Sequence, residues 1–230
     1  MQVGIMICKK ITLYFLIILL ISLVFPVSAE TLTVYDTYDL VLEETTEGDF
    51  LDLVDGNGDA TQTHTDTYTR LVAATTAGKY NQLRRVPMSF AIHSSLPSAA
   101  VIDSATIHLR GSQKSADLGS NISILITAMD PANKRSFVAS DFSKISNTPL
   151  SDQIAYADWS TTGYNAFTLN ADGISHISKT DYTIFAARHN WDVFRDSSSI
   201  TWASGVYSGF AFRTSRYTGT TNDPYITITY

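Results

Sequence analysis

The chain has 230 residues, with 22 Asp or Glu against 16 Lys or Arg, a formal net charge of −6. Lys9 and Lys10 lie in the apolar N terminus, so beyond Ala29 the balance is 14 basic residues against 22 acidic ones, or −8. A surface of that sign repels phosphate backbones and argues against nucleic acid as a partner. The only cysteine, Cys8, excludes a disulfide framework.

Residues 1–29 read as a signal peptide, a short apolar helix to be removed on export. Lys9 and Lys10 precede an uncharged run from Ile11 to Phe25, and Val27, Ser28 and Ala29 supply the small residues a signal peptidase needs. The run 11–27 also fits an uncleaved membrane anchor of minimal length, with both lysines on the cytoplasmic side. In either case residues 30–230 are expected outside the membrane, secreted or at the extracytoplasmic cell surface, and the N-terminal segment is their only tie to the bilayer.

Beyond Ala29 the chain is rich in Thr, Ser and aromatic residues, which suit a pleated, half-exposed surface better than a helix. Strands are predicted at 31–36 and 67–73. Met88, Phe90 and Ile92 alternate with Ser89, Ala91 and His93. Ala105, Ile107 and Leu109 alternate with Thr106, His108 and Arg110, and Ile122, Ile124 and Ile126 with Ser123 and Thr127. Further strands are predicted at 167–170, 182–188, 209–214 and 225–229. Each alternation has the period of an antiparallel strand with one wet face. Turn chemistry separates the strands at 55–59, 117–120, 130–131, 170–173 and 222–224. The piece 131–158 reads as long and irregular, with a short helical turn at Asp141 and Phe142. The expected fold class is therefore all-β, an antiparallel β-sandwich or jelly roll. One domain over 30–230 is expected, with 37–66 as an elaboration.

The stretch from Arg85 to Phe90, then Leu96-Pro97, then the strand from Ile102 through Ala105 to Leu109, resembles the opening of DNRLRE-type β-sandwich domains. The final Pro224-Tyr-Ile-Thr-Ile-Thr-Tyr230 is similar to their closing strand. The resemblance covers residues 80–230. It implies a β-sandwich on a secreted or surface-attached protein, and for some members of that family carbohydrate binding. The chain departs from the pattern where no Asp follows the Phe90 strand, and around Trp159.

Several residues are candidates for a site. Asp55, Asn57 and Asp59 place oxygen side chains at alternate positions around Gly56 and Gly58, as loops for hard cations do. Ala60 and Asp66 stand where an EF-hand would have Gly and Glu. The loop is thus a candidate for an irregular Ca2+ site, with Asp52 and Asp66 to complete it, or else a polar turn. Trp159, Trp191 and Trp202 offer ring faces for sugars. Trp191, flanked by Asn190 and Asp192 with Arg195 nearby, is the first expected contact for polysaccharide. His93 and His108 fall on expected wet faces of neighbouring strands, as a zinc pair or as solvated residues. Asn121 opens an Asn-Ile-Ser sequon for glycan. No nucleophile elbow is present, and no thiol lies beyond the leader, so a catalytic role is not expected. The leading expectation is a non-catalytic surface module recognising polysaccharide or serving a structural role. The alternatives are a self-assembling filament or layer subunit, with strand 31–36 pairing to a neighbour's sheet edge, and a secreted glycan hydrolase.

Overall fold

The computed structural model describes residues 29–230. The leader expected at 1–29 lies, but for Ala29, outside the described residues. Thr31–Tyr230 form one compact unit. Thirteen antiparallel strands build it: β1 (Thr31–Asp39), β2 (Val41–Glu44), β3 (Ala60–Gln62), β4 (Asp66–Ala73), β5 (Tyr80–Phe90), β6 (Ser104–Ala116), β7 (Ser123–Met129), β8 (Ile145–Pro149), β9 (Ile154–Ala155), β10 (Tyr164–Thr168), β11 (Thr183–His189), β12 (Tyr207–Arg213) and β13 (Tyr225–Thr229). Three short α-helices interrupt them: α1 (Phe50–Val54), α2 (Ala171–His176) and α3 (Asn190–Phe194).

The long strands are shared between sheets, which makes the sandwich continuous. Residues 31–35 of β1 pair with β13, which pairs with the first half of β6, which pairs with β10. This four-stranded patch is sheet I. The second half of β6 pairs with β12, with a register shift between Ala211 and Phe212, and the order continues through β4, the first half of β5, β2 and β3 as sheet II. The remainder of β1 and β5 then runs into β11, β7, β8 and β9 as sheet III. Their inward side chains, from Leu42 and Leu71 through Ile107 and Phe210 to Ile228, form a single buried cluster. This is the expected all-β sandwich. The predicted elaboration 37–66 supplies β2 and β3 at the edge of sheet II.

In sheet I and along β4 the alternation behaves as the sequence predicts. Ala105, Ile107 and Leu109 are buried, while Thr106, His108 and Arg110 stay half-exposed. Sheet III differs. Every residue of β11 is buried: α3 packs against it, His176 lies on Phe185, and Arg188 reaches Ser146 and Asn147 in the segment after β7. That segment contains a 3-10 turn, Ala139–Lys144, started by Asp141, whose carboxylate accepts the Val138 N–H (2.9 Å). Asn170 caps α2 by accepting the Gly173 N–H (2.9 Å), so the turn expected at 170–173 is a helix start.

Candidate functional site

The expected sugar contacts at Trp191 and Asp192 are overturned by burial. His189 ends β11 and caps α3, its Nδ1 accepting the Asp192 N–H (3.2 Å). That immediate turn swings Trp191 inward, where it is 1 % exposed and its indole N–H donates to Ser199 Oγ (2.9 Å). A ring without an open face cannot stack on a sugar. Asp192 is fully buried between two guanidinium forks. Arg85 donates from Nε to Oδ2 (2.9 Å) and from Nη2 to Oδ1 (2.7 Å), and Arg188 likewise at 2.6 Å and 2.7 Å. Four charge-assisted bonds leave that carboxylate no capacity for a hydroxyl. Burial acts to raise the Asp192 carboxyl, but the charges of Arg188 and Arg85 outweigh it and hold the group far below the usual carboxylate range. Burial lowers His189 to about 4, so its ring is neutral. The spare donors of Arg85 reach the carbonyls of Phe142 (2.9 Å) and Val54 (2.8 Å), and Arg188 Nη1 reaches Ser146 O (2.7 Å) and Asn147 Oδ1 (2.8 Å). The cluster is a clasp that ties β5, β11, α1, α3 and the 3-10 turn together. Of the other tryptophans, Trp159 is buried, and Trp202 is part-buried and donates to Lys79 O (2.8 Å).

The Ca2+ loop is corrected in the same way. Asp55 is held bidentately by Arg195, with Nη2 to Oδ2 at 2.7 Å, and this pair takes up the exposed Arg195. Asp59 accepts from the hydroxyl (2.6 Å) and backbone N–H (3.1 Å) of Thr45. Asn57 points to solvent, Asp52 caps α1 through the Asp49 N–H (2.8 Å), and Asp66 pairs with Arg213. Among the described residues no three His, Cys, Asp or Glu side chains are placed to hold a metal ion. The zinc pair also separates. His93 lies in a 3-10 turn against Tyr182, whereas His108 stacks on Tyr225 at 4.4 Å in sheet I. Burial depresses the His108 pKa. Asn121 is exposed, at the turn before β7. Strand 31–36 is paired inside its own molecule, with β13 on one side.

A different surface carries the features of a binding face. On the solvent side of sheet II, β4 presents Asp66, Tyr68 and Arg70, while Thr67, Thr69, Leu71 and Ala73 point inward. The Arg70 guanidinium lies between the Tyr68 ring (5.7 Å) and the Tyr207 ring (5.6 Å). Its Nε donates to Gln82 Oε1 (2.7 Å), Gln82 donates to Glu43 Oε2 (3.3 Å), and Arg84 pairs with Glu43 at 2.6 Å. Tyr68 donates to Gln113 Oε1 (2.8 Å). Across β12 the opposing residues are Gly209 and Ala211. A Cβ on Gly209 would overlap the Thr69 carbonyl oxygen and stand 2.7 Å from Arg70 Cβ, so glycine lets β12 and β4 approach beneath the Arg70 stem. Beside this bank, His64, Thr65, Asp66, Tyr68 and Arg84 line an open cavity of about 400 Å3. Burial raises the Tyr68 hydroxyl, with Tyr207 and Asp66 adding to the shift. Burial also lowers the Arg84 guanidinium, with help from Arg70. The face thus combines aromatic rings with planar donors and acceptors already held in place. Its signal was present in the period-two pattern of β4. Its partners come from β2, β5, β6 and β12, which no local pattern brings together.

Comparison with protein-family models and with curated proteins finds no match to this chain.

Proposed function

We propose that the protein is an exported, non-catalytic recognition module that binds polysaccharide on the solvent face of sheet II. The observation that carries this reading is the part-exposed bank of Tyr68, Arg70 and Gln82, held from behind by the buried Arg84–Glu43 pair, beside the cavity of about 400 Å3. Sugars bury poorly in apolar clefts, because each hydroxyl needs a partner once it leaves water. Planar guanidinium and amide groups meet neighbouring hydroxyls two at a time, and tyrosine rings cover the C–H face. The cavity volume falls within the range of about 300–1,000 Å3 typical of ligand sites. Preordering matters as well. Arg70 and Gln82 are fixed by each other and by two rings, so little rotamer entropy is lost on binding. The resemblance of residues 80–230 to DNRLRE-type domains supports the same reading, and the leader supports export.

Affinity electrophoresis through gels containing a panel of plant and microbial polysaccharides tests it. At least one polymer is expected to retard the parent protein, and Tyr68→Ala and Arg70→Ala to abolish the retardation without lowering the melting temperature substantially. Retardation by no polymer, or retardation unchanged in both variants, would refute the assignment to this face. Release of soluble oligosaccharide during the assay would instead identify a hydrolase.

A further inference from the structure

We infer that sheet I is the interface by which copies of this chain join edge to edge into an open chain. Three independent features of the sheet meet in this reading.

The first is direction. Sheet I has four strands in the order β1, β13, β6, β10, each antiparallel to the next. Its outer strands therefore run in opposite senses. A second copy placed alongside in the same orientation brings its β1 antiparallel to β10, and the alternation continues unbroken.

The second is lack of protection. Residues 31–35 are Thr-Leu-Thr-Val-Tyr and 164–168 are Tyr-Asn-Ala-Phe-Thr. Natural edge strands are usually blunted by lysine, proline or a bulge. Neither 31–35 nor 164–168 carries one; the irregularity of β1 begins at Asp36, where the strand passes to β5. Among the described residues, 31–35 pair with β13 alone and β10 pairs with β6 alone, with a single bridge from Ser151 to Leu169 just past its end.

The third is shape. One cross-strand row on the solvent face runs Tyr35, Tyr225, His108, Ala166. Its rings pack in sequence, Tyr35 to Tyr225 at 5.7 Å and Tyr225 to His108 at 4.4 Å. At one end Tyr35 stands out from the edge strand, 44 % exposed. At the other end the row stops at an exposed alanine, beside Tyr164. Tyr35 of a second copy, set opposite Ala166, covers that gap and extends the row. The same register sets its Thr33 opposite Thr168, which lengthens the adjacent row Thr33, Thr227, Thr106, Thr168. On the inner face it sets Val34 opposite Phe167. Threonine pairs and aromatic pairs are favourable cross-strand neighbours. A two-fold contact of β1 with β1 centred on Tyr35 would oppose two protruding rings, and one of β10 with β10 centred on Ala166 two gaps. The complementary contact joins different patches on the two copies, so it propagates unless the rotation closes a ring.

Sedimentation of residues 30–230, which include the compact unit, over a wide concentration series tests the inference. The weight-average mass is expected to rise past that of a dimer. Tyr35→Lys removes the ring from one edge and Ala166→Arg fills the gap at the other, both at exposed positions. Each variant alone is expected to stay monomeric. An equal mixture is expected to form a dimer and stop, because each supplies the edge the other lacks. A parent that is monomeric at every concentration overturns the inference. So does association that survives both variants, or association lost in Tyr35→Lys but kept in Ala166→Arg, which would signal a two-fold β1 contact. Sugar binding by sheet II is read separately and is not altered by either substitution.

Discussion

Asp192→Asn is the substitution that interrogates the core most directly. The amide keeps the shape of the carboxylate but removes its charge, and two of the four bonds from Arg85 and Arg188 then face an NH2 group instead of an oxygen. Arg85 and Arg188 are 3 % and 0 % exposed at the side chain, so their charges have no water to turn to. Breaking a buried pair in this way costs about 3–5 kcal/mol, against a total stability of about 5–15 kcal/mol for a domain. For a unit of this size 1 kcal/mol shifts the melting temperature by about 2–4 °C. The expected fall is therefore about 6–20 °C, read by calorimetry at pH 7. The pH dependence follows from the depressed carboxyl. A folded-state value below the unfolded one stabilises above about pH 4, and that contribution is lost as pH falls further. Parent and variant should thus converge on acidification below about pH 4. A variant melting within about 2 °C of the parent at pH 7 would show that the clasp does not hold β5, β11 and α3 together.

Asp36 offers the opposite sign. Burial, then the charge of the neighbouring Asp39 and a hydrogen bond to its side chain, raise the Asp36 pKa well above the usual value. A raised folded-state value stabilises at low pH and loses that contribution as pH rises through it. Asp36→Asn keeps the Oδ1 acceptor for the Tyr38 and Ser89 N–H groups and supplies a donor towards Asp39. The variant is expected to be more stable than the parent at pH 8 by about 1 kcal/mol or more, with the gain shrinking towards pH 4 in chemical denaturation series. An unchanged or reversed pH trend would remove the like-charge argument. The exposed Arg195–Asp55 pair should matter little: Asp55→Ala is expected to cost less than about 1 kcal/mol. Calcium at millimolar concentration is expected to leave the parent's melting temperature unmoved, and a clear upward shift would restore the cation loop.

The strand content and its inward face were legible locally, because a pleated chain alternates its side chains whatever surrounds it. Ala105, Ile107 and Leu109 announced their burial in this way, as did Ile226 and Ile228. The same residues could not say which outer faces stay wet. β11 reads as a half-buried strand, yet all its residues are buried, with α3 packed against it and Arg188 reaching over to Ser146. Trp191 sits between Asn190 and Asp192 and reads as exposed, but the turn capped by His189 and the two arginines from β5 and β11 draw it inward. Asp55, Asn57 and Asp59 have the spacing of a cation loop, but Arg195 and Thr45, distant in sequence, engage both carboxylates first. Period and turn chemistry are properties of neighbouring residues, so the sequence alone determined that this is an antiparallel β protein and where its inward faces lie. Solvation and pairing depend on what packs from elsewhere in the chain, so only the tertiary structure decided that Tyr68, Arg70 and Gln82 of sheet II stay part-exposed while Trp191 and Asp192 are sealed in the core.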